Sequence, residues 1–280
     1  MSQIHVYALQ MTSGPDLEAN FTTVERLLSG MAVAPRSFVV LPECFSYFGG
    51  KEQTNLQLMA SLEESVIAKR LSAIAKTHQI WLVGGTIPIQ FSKHDTRFSA
   101  TSLLFDPEGE CKAHYEKIHL FDVQVDDGTG SYRESETTSP GQRIVTASIY
   151  DEWCLGMSVC YDVRFPGLYQ SLRKQGANIL SVPSAFTHVT GKAHWETLIR
   201  ARAIETQSFV IAANQTGKHS NGRETYGHSL IVSPWGEILA QADERPQVIE
   251  AKLDFDIVQN VRQKMPILAH NQFSAIQNNL

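Results

Sequence analysis

Short uninterrupted apolar runs alternate with stretches of helical spacing from the first residues of this chain. Ile4-His5-Val6-Tyr7-Ala8-Leu9 reads as a strand, punctuated by Gly14-Pro15-Asp16, and Asp16 stands where a helix cap is needed. Residues 17–31 carry Phe21, Val24, Leu27 and Leu28 at helical intervals. Phe38-Val39-Val40-Leu41 is continuously apolar, as a parallel strand covered on both faces would be, and stops at Pro42-Glu43-Cys44. Residues 62–78 predict a second helix and 80–86 the next strand. Residues 101–105 and 111–115 flank the turn Asp106-Pro107-Glu108-Gly109 and predict a hairpin, with Lys117 just past its end.

The middle of the chain is polar. Residues 121–141 predict a long loop rich in Asp, Ser, Thr and Gly, and so long a loop in a compact domain is usually functional or disordered. Strands follow at 144–150 and 153–159, then Cys160, a polar turn, and a helix over 168–175. A strand at 179–182, a helix over 193–205, a strand at 209–213, a hairpin around Ser233-Pro234-Trp235-Gly236, a strand at 248–253 and a helix over 255–263 complete the pattern. The tail, 266–280, reads as polar and extended. Strands alternate with helices early and hairpins are interleaved, which predicts an α/β layered domain with a mixed sheet. This much strand packs as two sheets with helices outside.

Composition narrows the functional classes. The chain has 280 residues, 42% hydrophobic and 19% charged, enough for one domain with a substantial core. A net charge of −5 gives no broad basic surface, so neither nucleic acid nor an anionic membrane is an expected partner. No apolar run approaches a membrane span, and the N-terminus enters a strand pattern at once without a leader, so the expected location is cytoplasmic. Cys44, Cys111, Cys154 and Cys160 form no CxxC pair, and the ten histidines include no HExxH; no metal and no cofactor is expected.

Three strand ends carry a reactive residue type: Glu43 after FVVLP, Lys117 after HYE, and Cys160 after GMSV. In layered α/β folds, sites gather where parallel strands finish. A thiol to attack, a carboxylate to move the proton and an ammonium to hold the oxyanion are sufficient for acyl transfer. Singly, each also has a structural reading: Glu43 as a helix cap, Lys117 as a solvated charge, Cys160 as a small packing residue.

Leu41-Pro42-Glu43, Tyr115-Glu116-Lys117-Ile118-His119-Leu120-Phe121-Asp122 and Cys160-Tyr161-Asp162-Val163-Arg164-Phe165-Pro166 resemble the three signatures of the nitrilase superfamily of carbon–nitrogen hydrolases. The resemblance runs in order over almost the whole chain. It implies one domain over 1–280, a four-layer α-β-β-α sandwich, and a homodimer or higher homo-oligomer. By that resemblance Cys160 is the nucleophile, Glu43 the general base, and Lys117 the oxyanion partner together with the backbone N–H of Tyr161. Glu134 matches the second glutamate, which keeps the lysine charged. Arg164 suits a substrate carboxylate or else an ion pair with Asp162 or Glu205, and Tyr47, Phe186 and Thr187 are pocket walls. Arg200, Arg202 and Glu205 read as a supporting ion-pair network. Trp195 and His194 read as core or interface residues, and His228 as structural.

Pro183-Ser184-Ala185-Phe186, Thr190-Gly191-Lys192-Ala193-His194-Trp195-Glu196 and Leu198-Ile199-Arg200-Ala201-Arg202-Ala203-Ile204-Glu205 resemble amidases acting on ω-amides of 2-oxo acids, and within that group Gly217-Lys218-His219 and Arg223-Glu224-Thr225-Tyr226-Gly227-His228-Ser229 resemble those acting on deaminated glutathione. The resemblance thus implies cleavage of a linear amide of a 2-oxo dicarboxylic acid, giving 2-oxoglutarate and cysteinylglycine. An ω-amidase on 2-oxoglutaramate or 2-oxosuccinamate is the alternative enzyme, and a catalytically silent binding or regulatory member the alternative of another class. The segment 125–131 is slightly longer and more acidic than in animal members of the family it resembles.

Overall fold

A computed structural model describes residues 3–31, 34–51, 53–127 and 130–273. Eight strands form one sheet. Gln3–Gln10, Ser37–Val40 and Trp81–Val83 run parallel side by side, and Gln247–Asp254 lies antiparallel against the outer edge of the first. Phe98–Phe105 then pairs antiparallel with Trp81–Val83, Ile87–Ile89 and Cys111–Glu116, and Thr138–Ser139 adds alongside. A second sheet of six strands holds the parallel trio Trp153–Met157, Ile179–Ser181 and Phe209–Ala212, extended by Thr146–Tyr150 at one edge and by Leu230–Val232 and Ile238–Gln241 at the other.

Strand alternation assigns each sheet its two faces. Ile4, Val6 and Ala8 point into the core shared with the second sheet, where Leu155, Met157, Ile179 and Phe209 face them. Tyr7, Leu9, Val39 and Leu41 point the other way. They pack on Phe21, Val24 and Leu28 of α1 (Leu17–Ser29) and, beyond the short α2 (Gln53–Leu58), on Ile67, Leu71 and Ile74 of α3 (Val66–His78). On the far side of the second sheet lie α4 (Pro166–Lys174) and α5 (His188–Thr206). The layers are therefore α-β-β-α. The chain closes with α6 (Phe255–Lys264) and the single turn α7 (Ile267–His270).

Caps set the helix starts. Asp16 accepts the Ala19 N–H at 3.0 Å, Ser65 accepts that of Ala68 at 3.2 Å, and Thr187 caps α5 through Thr190. Ser65 therefore starts α3 at Val66 rather than at 62, and Thr187 starts α5 earlier than the apolar spacing over 193–205 implies. The loop expected over 121–141 is instead a hairpin, Asp122–Val125 against Gly130–Arg133, followed by a 3-10 turn at Glu134–Glu136. Its strands are only four residues each and mostly solvent-facing, so the one alternating run, Asp122-Val123-Gln124-Val125, is too short to stand out among the polar residues around it. The tail is not wholly extended: α7 sits in it, while 274–280 lie outside the described residues. Residues 128–129 of the acidic segment lie outside them too.

Two glycines lie directly behind the strand-end residues of interest. Gly85 has φ +57, and a Cβ there would fall on the carbonyl oxygen of Pro42. Gly141 donates its N–H to the Lys117 carbonyl at 2.8 Å, and a Cβ there would strike the Glu116 carbonyl. Replacing Gly85 with alanine combines left-handed strain with a clash against rigid backbone. Gly85→Ala is expected to lower unfolding free energy by roughly 1–3 kcal/mol, measured by urea denaturation, and to reduce turnover further by displacing Glu43.

Candidate active site

The parallel strands deliver their reactive residues to one cavity. Ser37–Val40 leads through Leu41-Pro42 to Glu43, Trp153–Met157 through Ser158-Val159 to Cys160, and Ile179–Ser181 toward Ala185, Phe186 and Thr187; all of these final residues line the cavity. Lys117 arrives from the end of Cys111–Glu116, and Glu134 from the foot of the 122–133 hairpin.

Lys117 is 2% exposed, yet it carries a charge that burial alone would suppress. Its Nζ lies 2.7 Å from Glu43 Oε1 and 3.0 and 2.8 Å from the two oxygens of Glu134. Burial pulls the Lys117 pKa down, but the carboxylates of Glu134 and Glu43 and the nearby Cys160 outweigh it, holding the ammonium well above its ordinary range. Glu134 is itself pushed up by burial, with Lys117 opposing, and its Oε2 also accepts the Phe121 N–H at 2.6 Å.

Cys160 opens a 3-10 turn, Cys160–Arg164, with φ +45. A non-glycine residue in that region is strained and needs surroundings that over-determine it. Its N–H donates to the Pro183 carbonyl at 2.8 Å, and the Asp162 N–H to the Val159 carbonyl at 3.0 Å. The N–H of Tyr161, at the head of the turn, has no acceptor within the turn itself. Burial, then the Glu43 charge, push the Cys160 pKa well above the usual thiol range, with Lys117 and the Ala185 N–H opposing. Cys160 rests as a neutral thiol against a carboxylate, beside an ammonium. That set can carry out nucleophilic attack coupled to proton transfer.

Asp162 fastens the nucleophile turn to the Lys117 segment. Fully buried, it accepts the Tyr115 hydroxyl at 2.8 Å, the Val159 N–H at 2.8 Å and the His119 N–H at 3.1 Å, and meets His119 Nδ1 at 2.7 Å. His119 in turn stacks on Phe165, centroids 3.7 Å apart. Asp162 thus has no ion pair with Arg164. Nor does Glu205, which pairs with Arg202 at 2.6 Å. Arg202 also donates through Nε to the Val163 carbonyl at 2.7 Å, so α5 braces the nucleophile turn from behind. Arg200 bonds instead to Gly236 and Glu196 and belongs to another face.

Tyr47, Phe186 and Thr187 line the cavity, though Thr187 spends its hydroxyl on capping α5. Arg164 is not in the lining. Its guanidinium stands at the rim, 5.2 Å from the Phe186 ring centroid and 5.8 Å from that of Tyr161, with NH1 3.2 Å from His194 Nδ1. Trp195 is core, donating its indole N–H to the His228 carbonyl at 2.7 Å, and His194 is at the surface. One cavity residue given no separate role by the sequence reading is Arg223, whose guanidinium carbon lies 4.7 Å from the rings of both Phe48 and Tyr132. It sits in a polar stretch whose ring partners are distant in sequence, so no local signal marks its place. Among the described residues, no group of three His, Cys, Asp or Glu is arranged to hold a metal ion.

The family model described as carbon-nitrogen hydrolase matches residues 6–263. The chain is 39% identical over 279 residues to a deaminated glutathione amidase of Yersinia enterocolitica, covering 98% of this chain and 94% of that protein. It is 42% identical over 267 residues to a deaminated glutathione amidase of Synechocystis sp., covering 95% and 97%. Among solved structures, Saccharomyces cerevisiae Nit3, described as a member of branch 10 of the nitrilase superfamily, superposes with a TM-score of 0.84 at 34% identity over 97% of both chains. With catalytic-type residues gathered in one cavity of an α-β-β-α sandwich, the chain belongs to the carbon–nitrogen hydrolase family of the nitrilase superfamily and is an amidase-type hydrolase of carbon–nitrogen bonds.

Proposed function

We propose that this protein cleaves a linear amide of a 2-oxo dicarboxylic acid through a thioester on Cys160, with deaminated glutathione as substrate and 2-oxoglutarate and cysteinylglycine as products. The observation that carries the chemistry is the buried contact of Cys160, Glu43 and Lys117, backed by Glu134, in one cavity. The substrate rests on the two bacterial relatives called deaminated glutathione amidases.

Glu43 takes the thiol proton as Sγ of Cys160 attacks the amide carbon. Because the resting thiol is neutral, deprotonation and attack proceed together rather than from a standing thiolate. The tetrahedral oxyanion is held by Lys117 and the Tyr161 N–H. An ammonium has three N–H groups. Glu134 fixes one side of it at 3.0 and 2.8 Å and Glu43 another at 2.7 Å, leaving a donor for the oxyanion. Glu43 then passes its proton to the leaving nitrogen, and the C–N bond breaks to leave the thioester. Glu43 next deprotonates a water, whose attack on the thioester carbon frees the acid and restores the thiol. Arg164 at the rim binds the 2-oxo acid carboxylate.

The same proposal extends to assembly and location. A homo-oligomer would cover Val189 and Ile204, both exposed on α5, with Trp235 exposed nearby; Ile204 packs against Gly236. No helix among the described residues is long and apolar enough to cross a membrane, and all four cysteines are free, as suits a reducing cytoplasm.

Cys160→Ala is expected to abolish turnover with its unfolding midpoint near the parent's, and mass spectrometry of parent protein quenched during turnover should find the acyl adduct on the peptide holding Cys160. An adduct on Cys44, or full activity in the alanine variant, would sink the mechanism. Glu43→Gln should lose about 10³-fold or more in kcat, since an amide cannot shuttle the proton. Glu134→Gln removes a charge that raises the Lys117 pKa. The ammonium then loses its proton at lower pH, so the alkaline limb of the pH–rate profile should move to lower pH, with kcat down roughly 10²-fold. An unmoved limb would show that Lys117 does not set it.

A further inference from the structure

The rim of the cavity is a run of aromatic rings with guanidinium groups set among them. Phe48 and Tyr132 flank Arg223, with its guanidinium carbon 4.7 Å from each centroid. Tyr132 meets Phe121 at 5.1 Å, and Phe121 meets Tyr161 at 5.2 Å. Arg164 then lies between Tyr161 and Phe186. Along this run the two guanidiniums stand apart, and Cys160 joins it at Tyr161. The floor beneath carries Glu43, Glu134 and Lys117, a sum of one negative charge. Such a floor repels carboxylates, so a substrate with an acid at each end needs a cation at each end.

Arg223 is built for that task. Its Nε is buried and has no hydrogen-bond partner among the described residues, and no salt bridge is formed to it there. The turn that carries it is held firmly. The His219 N–H donates to the Arg223 carbonyl at 2.8 Å, and His219 itself is buried between the Ser13 carbonyl at 2.9 Å and Thr225 Oγ1 at 2.8 Å, edge-on to Phe48. A guanidinium held between two rings, with a buried donor unspent, suits a planar anion such as a carboxylate. The neighbours Asn221, Gly222 and Glu224 are exposed, which puts Arg223 beside open solvent, where a freed amine departs.

We propose that Arg223 holds a carboxylate on the leaving-group side of the scissile amide, so that the site selects amides bearing an acid on both sides of the bond. This rests on the amidase reading above, in which Arg164 takes the acyl-side carboxylate. Binding at Arg223 is released once the C–N bond breaks, so it acts on acylation and not on hydrolysis of the thioester. It favours a peptide-like amine over ammonia as the group expelled.

The test uses three amides of one 2-oxo dicarboxylic acid: the primary amide, an N-alkyl amide ending in a carboxylate, and its twin ending in a neutral carboxamide. All three give the same acyl-enzyme. In the parent, kcat/KM should favour the carboxylate-ended amide over its neutral twin. Arg223→Gln should shrink that ratio roughly 10- to 100-fold, the range of a charge-assisted hydrogen bond, and Arg223→Lys should restore part of it. The ratio is read within each variant, so partial unfolding cannot mimic it, and the lysine variant carries the comparison if the glutamine variant does not fold. A ratio unchanged in both variants, or no parent preference between the twins, overturns the assignment while leaving the amidase intact. A parent that hydrolyses none of the three overturns the amidase reading and this inference together.

Discussion

An ammonium taken out of water and kept charged is the constraint around which this molecule is arranged. Lys117 is almost fully buried, and desolvating such a group costs several kcal/mol unless partners offset it. Two carboxylates do so, and each comes from a different part of the chain: Glu43 from the end of a parallel strand, Glu134 from the foot of a hairpin. The backbone behind them is shaped to match, with Gly85 against Pro42 and Gly141 against Glu116 and Lys117. These charges also set the state of the nucleophile. Burial, then the Glu43 charge, hold the Cys160 pKa well above the usual thiol range.

A second constraint ties the two sheets' contributions into one geometry. Cys160 belongs to the second sheet, while Lys117 and Glu43 belong to the first. Asp162 spans the gap by accepting from Tyr115, His119 and Val159 at once, so the nucleophile turn cannot move relative to the lysine without unpairing a buried carboxylate. Arg202 holds the same turn through the Val163 carbonyl from the α5 side. The left-handed backbone at Cys160 is supported from both directions.

Glu43 and Cys160 were legible in the sequence because each follows an apolar run that reads as a buried strand, and Lys117 because it follows a hairpin marked by the turn Asp106-Pro107-Glu108-Gly109. Three motif matches in order then turned three ordinary residues into a constellation and implied the sandwich. Helix α2 was not legible: none of its residues is buried, so no apolar stripe announces it. The 122–133 hairpin was hidden for a related reason, since Tyr132 is its one buried residue among those described. Asp162 stood with Glu205 as one of two alternative ion-pair partners for Arg164, and the structure gives it Tyr115 and His119 instead. A carboxylate's partners are set by which strands become neighbours, and spacing along the chain does not report that. Arg223 was obscure on the same grounds, because Phe48 and Tyr132 reach it only after both sheets are built.

The three-way charge cluster also shapes how this lineage could change. Removing the lysine leaves two buried carboxylates facing one another, and removing either glutamate leaves the buried ammonium with one carboxylate partner in place of two. Stripping one partner from such a buried pair typically destabilises by about 3–5 kcal/mol, a large share of a domain's net stability of about 5–15 kcal/mol. Cys160 is different, because it is neutral and small and its loss leaves no stranded charge. Descendants drifting toward a non-catalytic life would therefore shed the sulfur first and retain Glu43, Lys117 and Glu134 long afterwards as ballast for the fold. A surviving glutamate–lysine–glutamate set is thus weak testimony that a relative is active, and the residue at the cysteine position is the one that discriminates.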